Sequence, residues 1–123
     1  MDAAALIDTY CLAWSTPSPE ARAAHLAQTW APGATYTDPT AQLVGAAELL
    51  AHIARVMEAR PGLCVRRTSA VDLHHGAARF AWQAVGADGC ALVEGLDVVF
   101  LTAGGDRIER IVGFFDPLRA RGD

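Results

Sequence analysis

Ala77-Ala78-Arg79-Phe80-Ala81-Trp82-Gln83-Ala84-Val85, Ala91-Leu92-Val93-Glu94-Gly95-Leu96-Asp97-Val98-Val99-Phe100-Leu101 and Arg107-Ile108-Glu109-Arg110-Ile111-Val112-Gly113-Phe114-Phe115 follow one another in the second half of the chain. Each run is rich in β-branched and aromatic residues, and the joints Ala87-Asp88-Gly89 and Ala103-Gly104-Gly105-Asp106 carry turn chemistry with a glycine free to take positive φ. A further strand is expected over about Leu63 to Leu73, joined to the first run by His74-His75-Gly76. Consecutive hairpins of this kind predict an antiparallel meander.

Upstream of the meander the period changes. From Asp2 to about Ser15, Ala3, Leu6, Ile7, Tyr10, Cys11 and Trp14 recur at three- and four-residue steps, the signature of an amphipathic helix with Tyr10 on its inner stripe. Thr16-Pro17-Ser18-Pro19 breaks that helix, and Ser18 with Pro19 opens a second one running to about Ala31, with Leu26 and Trp30 turned to the core. Ala31-Pro32-Gly33 reads as a turn before a short strand, Ala34 to Asp38, closed by Pro39. A third helix is expected from Ala46 to Ala59, its apolar face made by Leu49, Leu50, Ile53, Val56 and Met57, with His52 at the margin. Helices first and a long sheet second define an α+β pattern in which the helices cover one face of a strongly curved sheet.

The chain of 123 residues predicts one domain over residues 1–123. Hydrophobic residues make up 52% and charged residues 20%, which excludes a disordered or fibrous chain. A net charge of −4, with no lysine-rich run, argues against nucleic acid as a partner. Cys11, Cys64 and Cys90 are odd in number and widely spaced, so neither a disulfide framework nor a zinc site is expected. His74 and His75, adjacent on a strand, would point to opposite faces and make a poor metal grip. No leader-like segment and no run of about 18 apolar residues is visible, so no membrane association and a cytoplasmic location are expected.

Against this apolar background three polar groups stand where the periodicity points inward: Tyr10 on the first helix, Asp38 before Pro39, and Asp97 in Gly95-Leu96-Asp97-Val98-Val99. An unpaired buried charge costs several kcal/mol or is neutralised by a shifted pKa, so two inward carboxyls in a small domain read as a site. A carboxylate in an apolar pocket becomes a competent proton acceptor from a carbon acid, and a neutral hydroxyl or protonated carboxyl can stabilise the enolate oxygen that results. Asp38 is the candidate base; Tyr10 and Asp97 are the candidate donors. Trp14, Trp30, Tyr36, His52, Trp82 and Phe114 are the expected walls for an apolar, ring-containing ligand. Each has a structural alternative: Asp38 capping a turn, Asp97 paired with Arg79 or Arg110, and Tyr10 as a core aromatic bonded to backbone.

Several strings resemble, in order and spacing, the nuclear-transport-factor-2-like superfamily, in particular its SnoaL-like polyketide-cyclase and ketosteroid-isomerase members. They are Trp30 with Ala34-Thr35-Tyr36-Thr37-Asp38-Pro39, Gly45 before the third helix, Phe80-Ala81-Trp82, Glu94-Gly95-Leu96-Asp97-Val98, and Arg107-Ile108 leading to Gly113-Phe114-Phe115. The resemblance covers nearly the whole chain. It implies a cone, or cystatin-like roll, in which a curved antiparallel sheet wraps around three helices and encloses a pocket, and it implies a homodimer. Laid onto the isomerase, Asp38 corresponds to the base, Asp97 to the protonated aspartate and Tyr10 to the oxyanion tyrosine. Cofactor-free isomerase or cyclase chemistry on a steroid, polyketide or terpenoid-like carbonyl compound is therefore expected, with no metal. Two other readings stay open: a non-catalytic ligand-binding or dimerisation module of the same fold, and epoxide hydrolysis by water activation with Arg79 and Asp97.

Overall fold

The computed structural model describes residues 1–122. Three helices, α1 (Ala3–Ala13), α2 (Pro19–Thr29) and α3 (Gly45–Ala59), lie against a curved sheet that is not closed. The strands are β1 (Trp30–Asp38), β2 (Ala41–Val44), β3 (Cys64–Arg67), β4 (Asp72–His74), β5 (Ala77–Val85), β6 (Ala91–Leu101) and β7 (Ile108–Phe115). Their order is β2-β1-β7-β6-β5-β3, with β4 also paired to β5. The α+β cone expected from the sequence is therefore the observed architecture.

The helix starts follow their chemistry. The Asp2 carboxylate accepts from the Ala5 N–H at 2.8 Å, and the Ser18 hydroxyl accepts from Ala21 N–H at 3.3 Å just ahead of Pro19. α3 has no side-chain cap at Val44; Glu48, four residues on, instead reaches back to accept from the Val44 N–H at 3.0 Å. α1 is tied to the short edge strand β3 by Arg67, which donates twice to Asp8 at 2.8 and 2.9 Å, and by Ser15, whose hydroxyl both donates to and accepts from the Val65 backbone. No helix among the described residues is long and apolar enough to cross a membrane.

Four local expectations are corrected. α2 ends at Thr29 and Trp30 already begins β1, so Ala31-Pro32-Gly33 is not a turn. Gly33 at φ +73° instead bulges the strand, whose register against β7 shifts between Trp30 and Thr35. Ala41–Val44, where no strand is expected, forms an antiparallel hairpin partner for β1. The strand expected over Leu63 to Leu73 is split into β3 and β4, because the Ser69 hydroxyl takes the Ala81 N–H at 2.8 Å and replaces the backbone ladder there. Finally, the meander is antiparallel, but β1 joins it through β7 in parallel, so the sheet is mixed.

Candidate active site

Strand register places the two inward carboxyls in one row. Thr37 lies beside Val112 in the parallel β1/β7 pair, which sets Asp38 level with Gly113, and Asp97 is the direct antiparallel partner of Gly113. Gly113 thus stands between two aspartates on flanking strands. Its missing side chain is what admits Asp97: a Cβ there would lie 2.7 Å from that carboxylate, while the Asp38 Cβ would stay at an ordinary 3.6 Å contact.

The row opens into a cavity of about 440 Å³ lined by, among others, Tyr10, Trp14, Tyr36, Asp38, His52, Trp82 and Asp97. That volume suits a drug-sized apolar molecule. Trp14, the C-cap of α1, sits one turn after Tyr10, so their side chains share a face, and the Trp14 indole N–H donates to the Tyr10 hydroxyl at 2.9 Å. The oxygen is thereby occupied as an acceptor and the phenolic proton remains to be donated. Burial, reinforced by the nearby Tyr36 and Asp97, raises the Tyr10 pKa well above its ordinary value, so the phenol is neutral.

Asp97 is 7% exposed and receives one protein hydrogen bond, from the Trp82 indole N–H at 2.8 Å. Trp82 reaches it because its partner across the strands is Gly95, where a Cβ would come within 2.3 Å of the indole ring. Desolvation pushes the Asp97 pKa up to about 7; the Trp82 bond lowers it, and the Asp38 charge adds to the rise. Asp38 is half-buried at the end of β1 and richly bonded. Its Oδ2 accepts from the Tyr36 hydroxyl at 2.5 Å, while its Oδ1 accepts from both the N–H and the hydroxyl of Thr40 at 2.7 Å. It therefore caps the turn through Pro39 and lines the cavity at once.

His52 packs between Trp14 and Tyr36, with ring centroids 5.8 and 6.3 Å away. Burial lowers its pKa, partly offset by Asp38, so the imidazole is neutral near pH 7. Cys11, a lining residue that sequence reasoning placed only in the core, has its thiol pushed up to about 12 by burial and is no nucleophile.

Two expected wall residues lie elsewhere. Trp30 stacks on Tyr10 from behind, at 5.8 Å and 15°, and is a core residue outside the cavity lining. Phe114 is 55% exposed on the outer face opposite Leu96, because inward Ile111 and Gly113 set the alternation; Phe115 points inward instead, edge-on to Trp82. The structural alternatives for Asp97 also fail. Arg79 is on the outer face paired with Asp72 at 2.9 Å, and Arg110 lies over the Phe100 ring. Arg79, the arginine named for water activation, is therefore not in the cavity.

A solved structure from Agrobacterium tumefaciens strain C58, described as a candidate isomerase of the SnoaL-like family, is 32% identical and superposes with a TM-score of 0.85, covering 93% of this chain and 97% of its own. The chain belongs to the SnoaL-like family. More distant solved structures share the fold. A candidate SnoaL-like polyketide cyclase from Jannaschia sp. CCS1 has 14% identity and a TM-score of 0.68, covering 90% of this chain and 85% of its own. An NTF2-like protein of unknown function from Exiguobacterium sp. 255-15 has 18% identity and a TM-score of 0.68, covering 92% of this chain and 99% of its own. No protein-family model matches the sequence, and no curated protein matches it. The SnoaL-like identification rests on the Agrobacterium structure.

Proposed function

We propose that this SnoaL-like protein binds an apolar, ring-containing carbonyl compound, such as a steroid, polyketide or terpenoid, and catalyses cofactor-free proton transfer beside that carbonyl. The observation that carries the reading is the Asp38-Gly113-Asp97 row, in which one carboxyl is bonded as an anion would be and the other is buried with its pKa raised to about 7. Asp38 takes the proton from the carbon next to the carbonyl. The C–H electron pair moves into the new C=C bond and the carbonyl oxygen gains charge. Tyr10 O–H and the protonated carboxyl of Asp97 donate hydrogen bonds to that oxygen, in a site whose aromatic walls exclude water. Asp38 then returns the proton to a different carbon, leaving an isomer and the original carboxylate. The descriptions of the Agrobacterium and Jannaschia proteins support this class of chemistry.

The test is turnover of an activated β,γ-unsaturated ketone. Asp38→Asn is expected to lower it by about 10²–10⁴-fold with the fold intact by circular dichroism. Unchanged turnover in the variant, or none in the wild type with any such ketone, overturns the assignment.

Homodimerisation through the outer sheet face belongs to the same proposal. Leu96, Phe100 and Phe114 are exposed there beside the half-buried Val98 and Val112, an apolar surface that suits a self-complementary contact. Sedimentation is expected to give twice the 13.0 kDa chain mass, and Phe114→Lys is expected to give the monomer. A monomeric wild type removes the dimer from the proposal. Three free thiols suit the cytoplasm as the compartment.

A further inference from the structure

We infer that the end of the cavity remote from the two aspartates binds a carboxylate carried by the ligand, with Arg60 as its partner. This deepens the proposed function and rests on its reading of the cavity as the ligand site.

Three elements give the cavity the same long axis. On α3 the lining residues are His52, Val56 and Arg60, spaced i, i+4 and i+8, which spans about 12 Å of helix. On β6 the lining runs from Asp97 back to Val93, and on β5 from Phe80 to Ala84; the register pairs Phe80 with Asp97 and Ala84 with Val93, so both strands travel together over about 13 Å. His52 lies beside Tyr36, at the aspartate end. Arg60 follows the last turn of α3, and β3, which starts four residues later, pairs Cys64 with Val85. The guanidinium therefore belongs to the Ala84/Val93 end.

That end has no acid. Its other lining residues are Leu63, Val65, Ala84, Leu92 and Val93, while Asp38 and Asp97 stand at the opposite end. Among the described residues the Arg60 guanidinium makes no hydrogen bond or ion pair, whereas Arg67 and Arg79 each hold an aspartate. An unpartnered guanidinium bordering an apolar cavity offers the planar fork that matches a carboxylate. The two ends also act together: a ligand carboxylate is repelled by Asp38 and drawn to Arg60, so the charge gradient along the cavity sets which end of the molecule meets the base. The ligand class that follows is an elongated ring system with an enolisable ketone at one end and a carboxylate about 12 Å away.

The probes are 3-oxo-4-androstene-17β-carboxylate and its methyl ester, titrated against the quenching of Trp14 and Trp82 fluorescence. The wild type is expected to bind the acid at least fivefold more tightly than the ester. Arg60→Gln, at an exposed position, is expected to bring the acid down to the ester's affinity and leave the ester's own affinity unchanged, and Arg60→Lys to keep part of the preference. Equal affinities in the wild type, or an acid preference that survives Arg60→Gln, overturn the role of Arg60 while the cavity reading stands. Failure of both probes to bind overturns the cavity reading and the inference with it.

Discussion

The end of β1 and the middle of β6 each hold an aspartate facing the same cavity, yet they treat it in opposite ways. At the end of β1 the chain is turning through Pro39, backbone donors are free, and Asp38 collects three hydrogen bonds from Tyr36 and Thr40. In the middle of β6 the neighbouring backbone is committed to the β5 and β7 ladders, so Asp97 receives one hydrogen bond, from the Trp82 indole N–H, and is buried without a second donor. The same residue type becomes a hydrogen-bonded turn cap in one place and a weak acid in the other. What separates them is the supply of donors, and that supply is set by position along a strand.

Asp97→Asn should disturb this contrast most. With its folded pKa raised to about 7, Asp97 binds a proton in the native state that it gives up in the unfolded chain from about pH 4 upward. Its contribution to stability is therefore most favourable in acid. It falls as pH rises from about 4 and reaches its full cost above pH 7, on the order of 4 kcal/mol. Asparagine keeps the shape without the ionisation, so urea denaturation should find the variant gaining on the wild type steadily from pH 4 to pH 8. A difference that stays constant across that range breaks the contrast.

Gly113→Ala comes next. The added Cβ would meet the Asp97 carboxylate at 2.7 Å and drive it off the Trp82 indole, so a loss of about 1–3 kcal/mol is expected together with a fall in turnover. Trp82→Phe keeps the ring and deletes the N–H. It should cost about 1–2 kcal/mol, and because that bond lowers the Asp97 pKa, the carboxyl resonance of Asp97 should titrate at higher pH by NMR. Thr40→Ala removes one of three donors to Asp38 and leaves the backbone N–H in place. A loss of about 0.5–1 kcal/mol is expected, with turnover nearly unchanged; a large drop would show that Asp38 depends on its donors as heavily as Asp97 depends on burial.

Period-two alternation made Asp38, Asp97, Tyr36 and Trp82 legible as inward residues, and helical spacing did the same for Tyr10 and Trp14. Their shared row was not legible, since it depends on β7 inserting between β1 and β6, a pairing between distant segments that leaves no local trace. Phe114 and Phe115 are adjacent aromatics at a strand end, where composition cannot choose the inner one and only the register does. Trp30 follows Thr29 without any break residue, so the change from helix to strand at that bond is invisible to periodicity. Ser69 shows the same limit: an ordinary strand residue whose hydroxyl, once folded, takes the place of a backbone carbonyl.

The parallel seam between β1 and β7 also carries a temporal consequence. β1 emerges from the ribosome well before β7, the strand that completes its far side, so Tyr36 must wait for Ile111. Until then Asp38 has its turn but no facing carboxyl, and β6 lacks one neighbour. Such late, non-local closure is slow relative to helix formation. A nascent chain stalled before Ile108 would have all three helices synthesised and no ligand chamber to go with them.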